Sequence, residues 1–172
     1  MHTALLVIAQ NGYQDIELAG TQNALLAAGF EVTLASKEEG VCMGKFGGTE
    51  EALLAMRDVD PLAYDVLAFI GGPGAGALAE DNEALFLAEA RDATGKTLGA
   101  ICIAPTILAA AGILEGKHAA VWDDGLGTQK TFLTDRGAIY THDPVTIDGH
   151  IITANGPDAA EAFGLALAKA AA

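Results

Sequence analysis

The stretch Thr97-Leu-Gly-Ala-Ile-Cys-Ile-Ala-Pro-Thr-Ile-Leu-Ala-Ala-Ala-Gly-Ile-Leu114 decides the fold of this chain. It is uncharged from Leu98 to Leu114, about the length of the shortest membrane spans, which need roughly 17–25 apolar residues. Pro105 breaks that reading, because proline has no N–H to give a helix and its ring clashes with the preceding turn. Small residues fill much of the run, so Thr97–Ile103 reads as a buried strand and Thr106–Leu114 as a buried helix. A strand and a helix buried in succession form a globular core, not a bilayer span.

The alternation continues on both sides of this unit. Upstream, Thr3–Ala9 is a short apolar strand, Asp15–Ala28 carries small and apolar residues at helical spacing with Gly29 closing it, and Phe30–Ala35 is a strand again. The glycine-rich Gly40–Gly48, with Val41, Met43 and Phe46, suggests a hairpin over one edge of the sheet. Tyr64–Ile70 is a buried strand that runs into Gly71-Gly-Pro-Gly-Ala-Gly76, and Asn82–Thr94 is a helix ended by Gly95. Downstream, Ala138–Tyr140, Val145–Ile147 and Ile151–Ala154 are short strands, the last two joined at Asp148-Gly149, and Asp158–Ala171 is a closing Ala-rich helix. This βα alternation predicts an α/β fold with a mostly parallel sheet and helices on both faces, whose sites lie at the carboxyl ends of strands.

Length and charge narrow the function. At 172 residues the chain fits one domain, 1–172, and its net charge of −14 excludes nucleic acid and anionic membrane surfaces as partners. Its two cysteines make no disulfide framework, and no basic segment precedes the first apolar residues, so a reducing cytoplasm is the expected compartment. His2, His118, His142 and His150 have no metal-ligand spacing, so no metal is expected. Gly74-Ala-Gly-Ala-Leu-Ala79 fits G-x-G-x-x-A, but it follows a middle strand, and the acidic residue about 20 positions on, Asp92, falls in a helix. No cofactor is expected from it.

Ala100-Ile-Cys-Ile-Ala104 places small residues two positions either side of a cysteine, the steric arrangement that lets a strand turn sharply into a helix and expose a nucleophile. Amides at the start of that helix, and any side chain donating a hydrogen bond to sulfur, would favour the thiolate. The same apolar flanks also suit a core thiol that only packs, and the spacing by itself leaves both readings open.

Four stretches appear in the order found in one known family: Asp15-Ile-Glu-Leu18, Ile70-Gly-Gly-Pro-Gly-Ala-Gly76, Ala100-Ile-Cys-Ile-Ala-Pro105 with Ala111-Gly-Ile-Leu-Glu-Gly-Lys117, and Ile151-Ile-Thr-Ala-Asn-Gly-Pro157. Together they resemble the ThiJ/PfpI superfamily, with its class I glutamine amidotransferase-like fold. The resemblance implies a flavodoxin-like three-layer sandwich centred on a reactive cysteine, here Cys102. It implies that Glu17 stands protonated beside the sulfur, and that the backbone amides of Gly72 and Ile103 form an oxyanion hole. The surrounding pocket is expected to take in Gly71, Pro105 and Trp122.

Two departures from the family pattern bear on mechanism. Protease- and amidase-type members carry a histidine directly after the nucleophile, where this chain has Ile103; another branch carries one after the next strand, where Trp122 aligns. His118 lies four residues before Trp122 on a predicted strand and reads as a surface residue. Peptide hydrolysis needs a base and an acid for the leaving amine, so both losses argue against a protease. The expected function is a cysteine-centred stress protein that handles small reactive carbonyls, as glyoxalases and deglycases do, or senses oxidants through Cys102. The alternative is a non-catalytic chaperone or interaction member. A homodimer or higher homo-oligomer is the implied assembly, and Cys42 reads as structural.

Overall fold

Alternation of inward and outward side chains builds β1 (His2–Val7), whose Leu5 and Val7 enter the core on one face of the sheet and Ala4 and Leu6 the core on the other. The computed structural model describes residues 1–172. After β1 come β2 (Asn11–Tyr13), α1 (Asp15–Ala27), β3 (Phe30–Ser36), β4 (Gly40–Gly44), β5 (Thr49–Ala52) and β6 (Leu54–Ala55). β7 (Val66–Phe69) leads through a 3-10 helix, Pro73–Glu80, into α2 (Asn82–Ala93), β8 (Thr97–Ile101) and the short α3 (Pro105–Ala110). The chain closes with β9 (His118–Ala119), α4 (Thr128–Thr134), β10 (Ile139–Tyr140), β11 (Val145–Asp148), β12 (Ile151–Ala154) and α5 (Ala160–Ala171).

The main sheet has seven strands in the order β11-β12-β8-β7-β1-β3-β6. Its strand pairs are parallel except β11 with β12. Helices α1 and α5 cover one face and α2 and α3 the other, so the molecule is the α/β three-layer sandwich expected from the alternation. From β1 the chain first runs to β3 on one side and later to β7 on the other, and a crevice opens at the carboxyl ends of β1 and β7 where the order reverses.

Small residues bring the layers close. A β-carbon at Gly164 of α5 would stand 2.7 Å from the Ala24 β-carbon of α1, and one at Gly99 of β8 would stand 2.7 Å from Leu167. The helix after the cysteine is shorter than its composition predicts: it stops at Ala110, and Gly112 then adopts φ 77°, so residues up to Leu114 form turns. The hairpin of β4 and β5 extends to Ala52, beyond the glycine-rich part. β9 falls where a strand was read around His118, whereas β2, β6 and α4 carry no apolar period of their own and were not foreseen; α4 buries only Leu133. No helix is long and apolar enough to cross a membrane.

Candidate active site

Cys102 follows the last residue of β8 and is the chain's one non-glycine residue with positive φ, 63°. That conformation costs an L-residue about 1 kcal/mol. Two backbone hydrogen bonds hold it: the Cys102 N–H donates to the Ala154 carbonyl at 2.9 Å, and the Trp122 N–H donates to the Cys102 carbonyl at 2.9 Å. Ala100 and Ala104 are fully buried on either side, which is why small residues are needed there. The turn is the sharp elbow read from the sequence, and it leaves Cys102 only 6 % exposed, at the wall of a cleft.

Glu17 reaches the sulfur from the first turn of α1. Gln14 starts that helix, its side-chain oxygen accepting from the N–H groups of Ile16 at 2.6 Å and Glu17 at 3.0 Å. Glu17 is fully buried; its Oε2 accepts from the Gly71 N–H at 3.0 Å, and its Oε1 has no hydrogen-bond partner. Burial pushes its carboxyl up to about 7, against the lowering pull of Cys102, the Gly71 N–H and the charge of Lys45. Gly71 is what lets the pair meet, because a β-carbon there would lie 2.6 Å from both the Cys102 β-carbon and Glu17 Oε2.

Burial also pushes the Cys102 thiol up, and the Glu17 carboxylate adds to this. The sequence argued for a lowered thiol, and the sources of lowering are fewer than it foresaw: α3 has six residues, too short to carry much of a dipole. What pulls the other way is a pair of backbone amides, Ile103 and Gly72, both directed at the sulfur. Gly72 is glycine for two reasons, its φ of 114° and its approach to the segment after β1, where a β-carbon would lie 2.5 Å from the Gln14 nitrogen. Burial raises both groups, and ionisation of one opposes ionisation of the other.

The cleft above them measures about 200 Å³ and is lined by Gln14, Glu17, Lys45, Gly72, Pro73, Cys102, Ile103, Trp122 and Pro157. Gly71 lies behind the lining as the floor of the Glu17 contact, and Pro105 is buried at the start of α3. A roomier recess of about 420 Å³ sits at the opposite end of the sheet, among Asp65, Lys96 and His150, where strands begin and no nucleophile stands. No histidine lines the Cys102 cleft: His118 is exposed and bonds to Asp148, and His150 bonds to Asp92 at 2.7 Å. Asp123 and Asp124 accept from backbone amides of their own loop. Cys42 is buried beneath the hairpin with Gln10 near its sulfur. The Gly74–Ala79 motif lies in the 3-10 helix, and Gly74 packs against the Ala9 and Asn11 backbone region, leaving no cradle for a phosphate. No group of three or more potential ligands could hold a metal ion.

Gln14, Lys45, Pro73 and Pro157 are the lining residues that sequence reasoning missed, the two prolines lying inside quoted motifs without being assigned to the pocket. Gln14 sits one residue before an acidic first turn, and Lys45 is the single cation of a glycine-rich loop, but neither signal says that the hairpin folds over α1. Chemically, the arrangement can hold a thiolate or an oxyanion on two amides and pass one proton to or from Glu17.

The family model described as the DJ-1/PfpI family matches residues 2–170. A deglycase of Pyrococcus abyssi is 29 % identical over 89 % of this chain and 90 % of its own length. A glutathione-independent glyoxalase of Caenorhabditis elegans is 31 % identical over 97 % of this chain and 87 % of its own. Among solved structures, a ThiJ/PfpI domain protein from Brachyspira murdochii superposes with a TM-score of 0.93 at 26 % identity, covering 98 % of this chain and 95 % of that one. With the family model matching residues 2–170 and the sandwich superposing over nearly its whole length, this chain belongs to the DJ-1/PfpI family.

Proposed function

We propose that Cys102 and Glu17 form a one-proton nucleophile pair that acts on small reactive carbonyl compounds, in the manner of the glyoxalase and deglycase relatives. The observation that carries the reading is the orphan Oε1 of Glu17, buried beside a sulfur that two backbone amides face. A carboxyl oxygen buried without a partner is costly unless it keeps its proton and gives it to a neighbour. In the state in which Glu17 keeps the pair's remaining proton the charge lies on sulfur, and that thiolate is the nucleophile. Its thiolate adds to an aldehyde carbon, the carbonyl electrons move to oxygen, and the Glu17 proton completes a hemithioacetal.

For a 2-oxoaldehyde the ionised Glu17 then removes the proton from the former aldehyde carbon and returns it to the neighbouring carbon, while the hydroxyl proton of the first carbon passes to the neighbouring oxygen, leaving a thioester beside a hydroxyl-bearing centre. The resulting thioester is hydrolysed, so that the net change is addition of one water to give a 2-hydroxy acid. Glu17 does both transfers, which is how the chemistry runs without a histidine. The test is 2-hydroxy acid formation from methylglyoxal. Turnover that vanishes in Cys102→Ala and falls at least about a hundredfold in Glu17→Gln is expected, as for loss of a general acid–base. Equal product from wild type and Cys102→Ala overturns the reading.

Oxidant sensing is the second reading, favoured by the size of the cleft, which admits peroxide while keeping bulk reagents from a nearly buried sulfur. Two peroxides would carry the thiolate to a sulfinate with release of two waters. A mass increase of two oxygens confined to the Cys102 peptide is the expected outcome, and oxidation falling equally on Cys42 removes this reading. Both readings place the protein in a reducing cytoplasm, since each needs Cys102 free. A homodimer completes the proposal: Ile16 on α1 and Val41, Met43 and Phe46 on the hairpin are apolar and at least half exposed, a face suited to a second copy.

A further inference from the structure

Lys45 reaches the mouth of the Cys102 cleft from the turn between β4 and β5. The turn is closely pinned. The Lys45 N–H donates to the Tyr13 carbonyl at 2.8 Å, and the Asp15 carboxylate accepts from the N–H groups of Phe46 at 2.8 Å and Gly48 at 2.9 Å. Gly44 and Gly48 lack β-carbons where any such carbon would run into that carboxylate. Asp15 is thus taken up by the turn backbone, and Lys45 forms no ion pair; its Nζ stands 5.2 Å from the centre of the Phe46 ring.

Lys45 is the one basic residue that lines the Cys102 cleft, in a chain where 23 acidic residues outnumber 9 basic ones. Lys37 is held by Asp81 and Glu83, and Arg57 by Glu38. The one carboxyl that shares the cleft with Lys45 is Glu17, whose oxygens face Gly71 and the sulfur. The cleft is therefore a small chamber with a nucleophile and two amide donors at its base and a free positive charge at its rim.

We propose that Lys45 makes the Cys102 cleft selective for carbonyl compounds that carry a carboxylate beside the reacting carbon, the class of 2-oxo acids exemplified by glyoxylate. The inference rests on Cys102 being the nucleophile. The carboxylate pairs with Lys45 while the sulfur bonds the aldehyde carbon, and the carbonyl electrons move to oxygen, which takes the Glu17 proton. No electrons are gained or lost overall. A two-carbon acid fits a cleft of about 200 Å³, and a single opposite charge offsets locally the repulsion that the chain's net charge of −14 imposes on anions.

Iodoacetate and iodoacetamide test this, because they have nearly the same volume and differ by one charge. Each forms the same sulfur–carbon bond with loss of iodide, and the alkylated peptide identifies the cysteine. The expected result is a ratio of iodoacetate to iodoacetamide rates at Cys102 about tenfold above that of glutathione, as one favourable charge pair near a surface gives. Lys45→Met brings the ratio down to that of glutathione, Lys45→Arg keeps it, and salt at about 0.5 M compresses it by screening. Glyoxylate protects Cys102 from iodoacetamide at lower concentration than acetaldehyde does, and Lys45→Met removes the difference. A ratio equal in wild type and Lys45→Met, with Cys102 reactive to both reagents, overturns the anion selectivity and leaves the nucleophile standing. Cys102 inert to both reagents in the native protein overturns the nucleophile and the selectivity that rests on it.

Discussion

Cys102 keeps a β-carbon at a backbone angle that glycine tolerates and other residues resist. Cys102→Gly is expected to unfold at a higher urea concentration than Cys102→Ala, by about 1 kcal/mol in stability, the reverse of the usual order for these residues. Equal midpoints would mean that the elbow relaxes without the thiol. Glu17 gives a second expectation. Its folded-state carboxyl is raised to about 7 from an ordinary value of 4.5, so between those limits the folded state holds a proton that the unfolded chain has lost. The stability that this proton contributes is fully present below about pH 4.5 and is lost as pH rises through about 7. Glu17→Gln, which stays neutral, should match wild type near pH 4 and exceed it by about 3 kcal/mol at pH 8. Melting curves at the two pH values decide it, and parallel pH profiles would mean that Glu17 is ionised in the fold. From the sequence, Cys102 was legible as an elbow through its small neighbours, but Glu17 was an ordinary acidic residue of a first turn until the family resemblance assigned it.

At the scale of elements, the anchor of α2 was not legible at all. Arg91 is completely buried in the last turn of that helix and gives hydrogen bonds to the carbonyls of Pro61, Tyr64, Asp65 and Thr97, at 2.7 to 3.2 Å. Burial lowers its guanidinium to about 10, and the four carbonyls tie α2 to the approaches of β7 and β8. Arg91→Met keeps much of the volume and removes every donor, so it should cost about 3–5 kcal/mol and lower the melting temperature by about 10 °C. A change below about 1 kcal/mol would mean that water replaces the guanidinium. In the sequence Arg91 reads as one more polar residue of an amphipathic helix, because the carbonyls it satisfies come from segments 6 to 30 positions away. The long strands and helices were legible because each has its own apolar period. β2, β6 and α4 exist through pairing and packing that no local pattern records.

At the scale of the whole molecule, a net charge of −14 and an exposed apolar face on α1 and the hairpin pull in opposite directions. Two copies meeting through that face should sediment at twice the chain mass of 17.5 kDa, more completely as salt screens their mutual repulsion. Met43→Glu should shift the equilibrium toward the single chain, and a species of 17.5 kDa at every salt and protein concentration would remove the dimer. The amino-acid sequence by itself determined the class of fold and the elbow, since strand and helix periods and the steric demand of a tight turn are properties of neighbouring residues. Only the tertiary structure decided what surrounds the sulfur. Glu17, Gly71, Gly72, Lys45 and Trp122 come from separate crossovers of the sheet, and burial, which sets the protonation of the pair, depends on all of them packing at once.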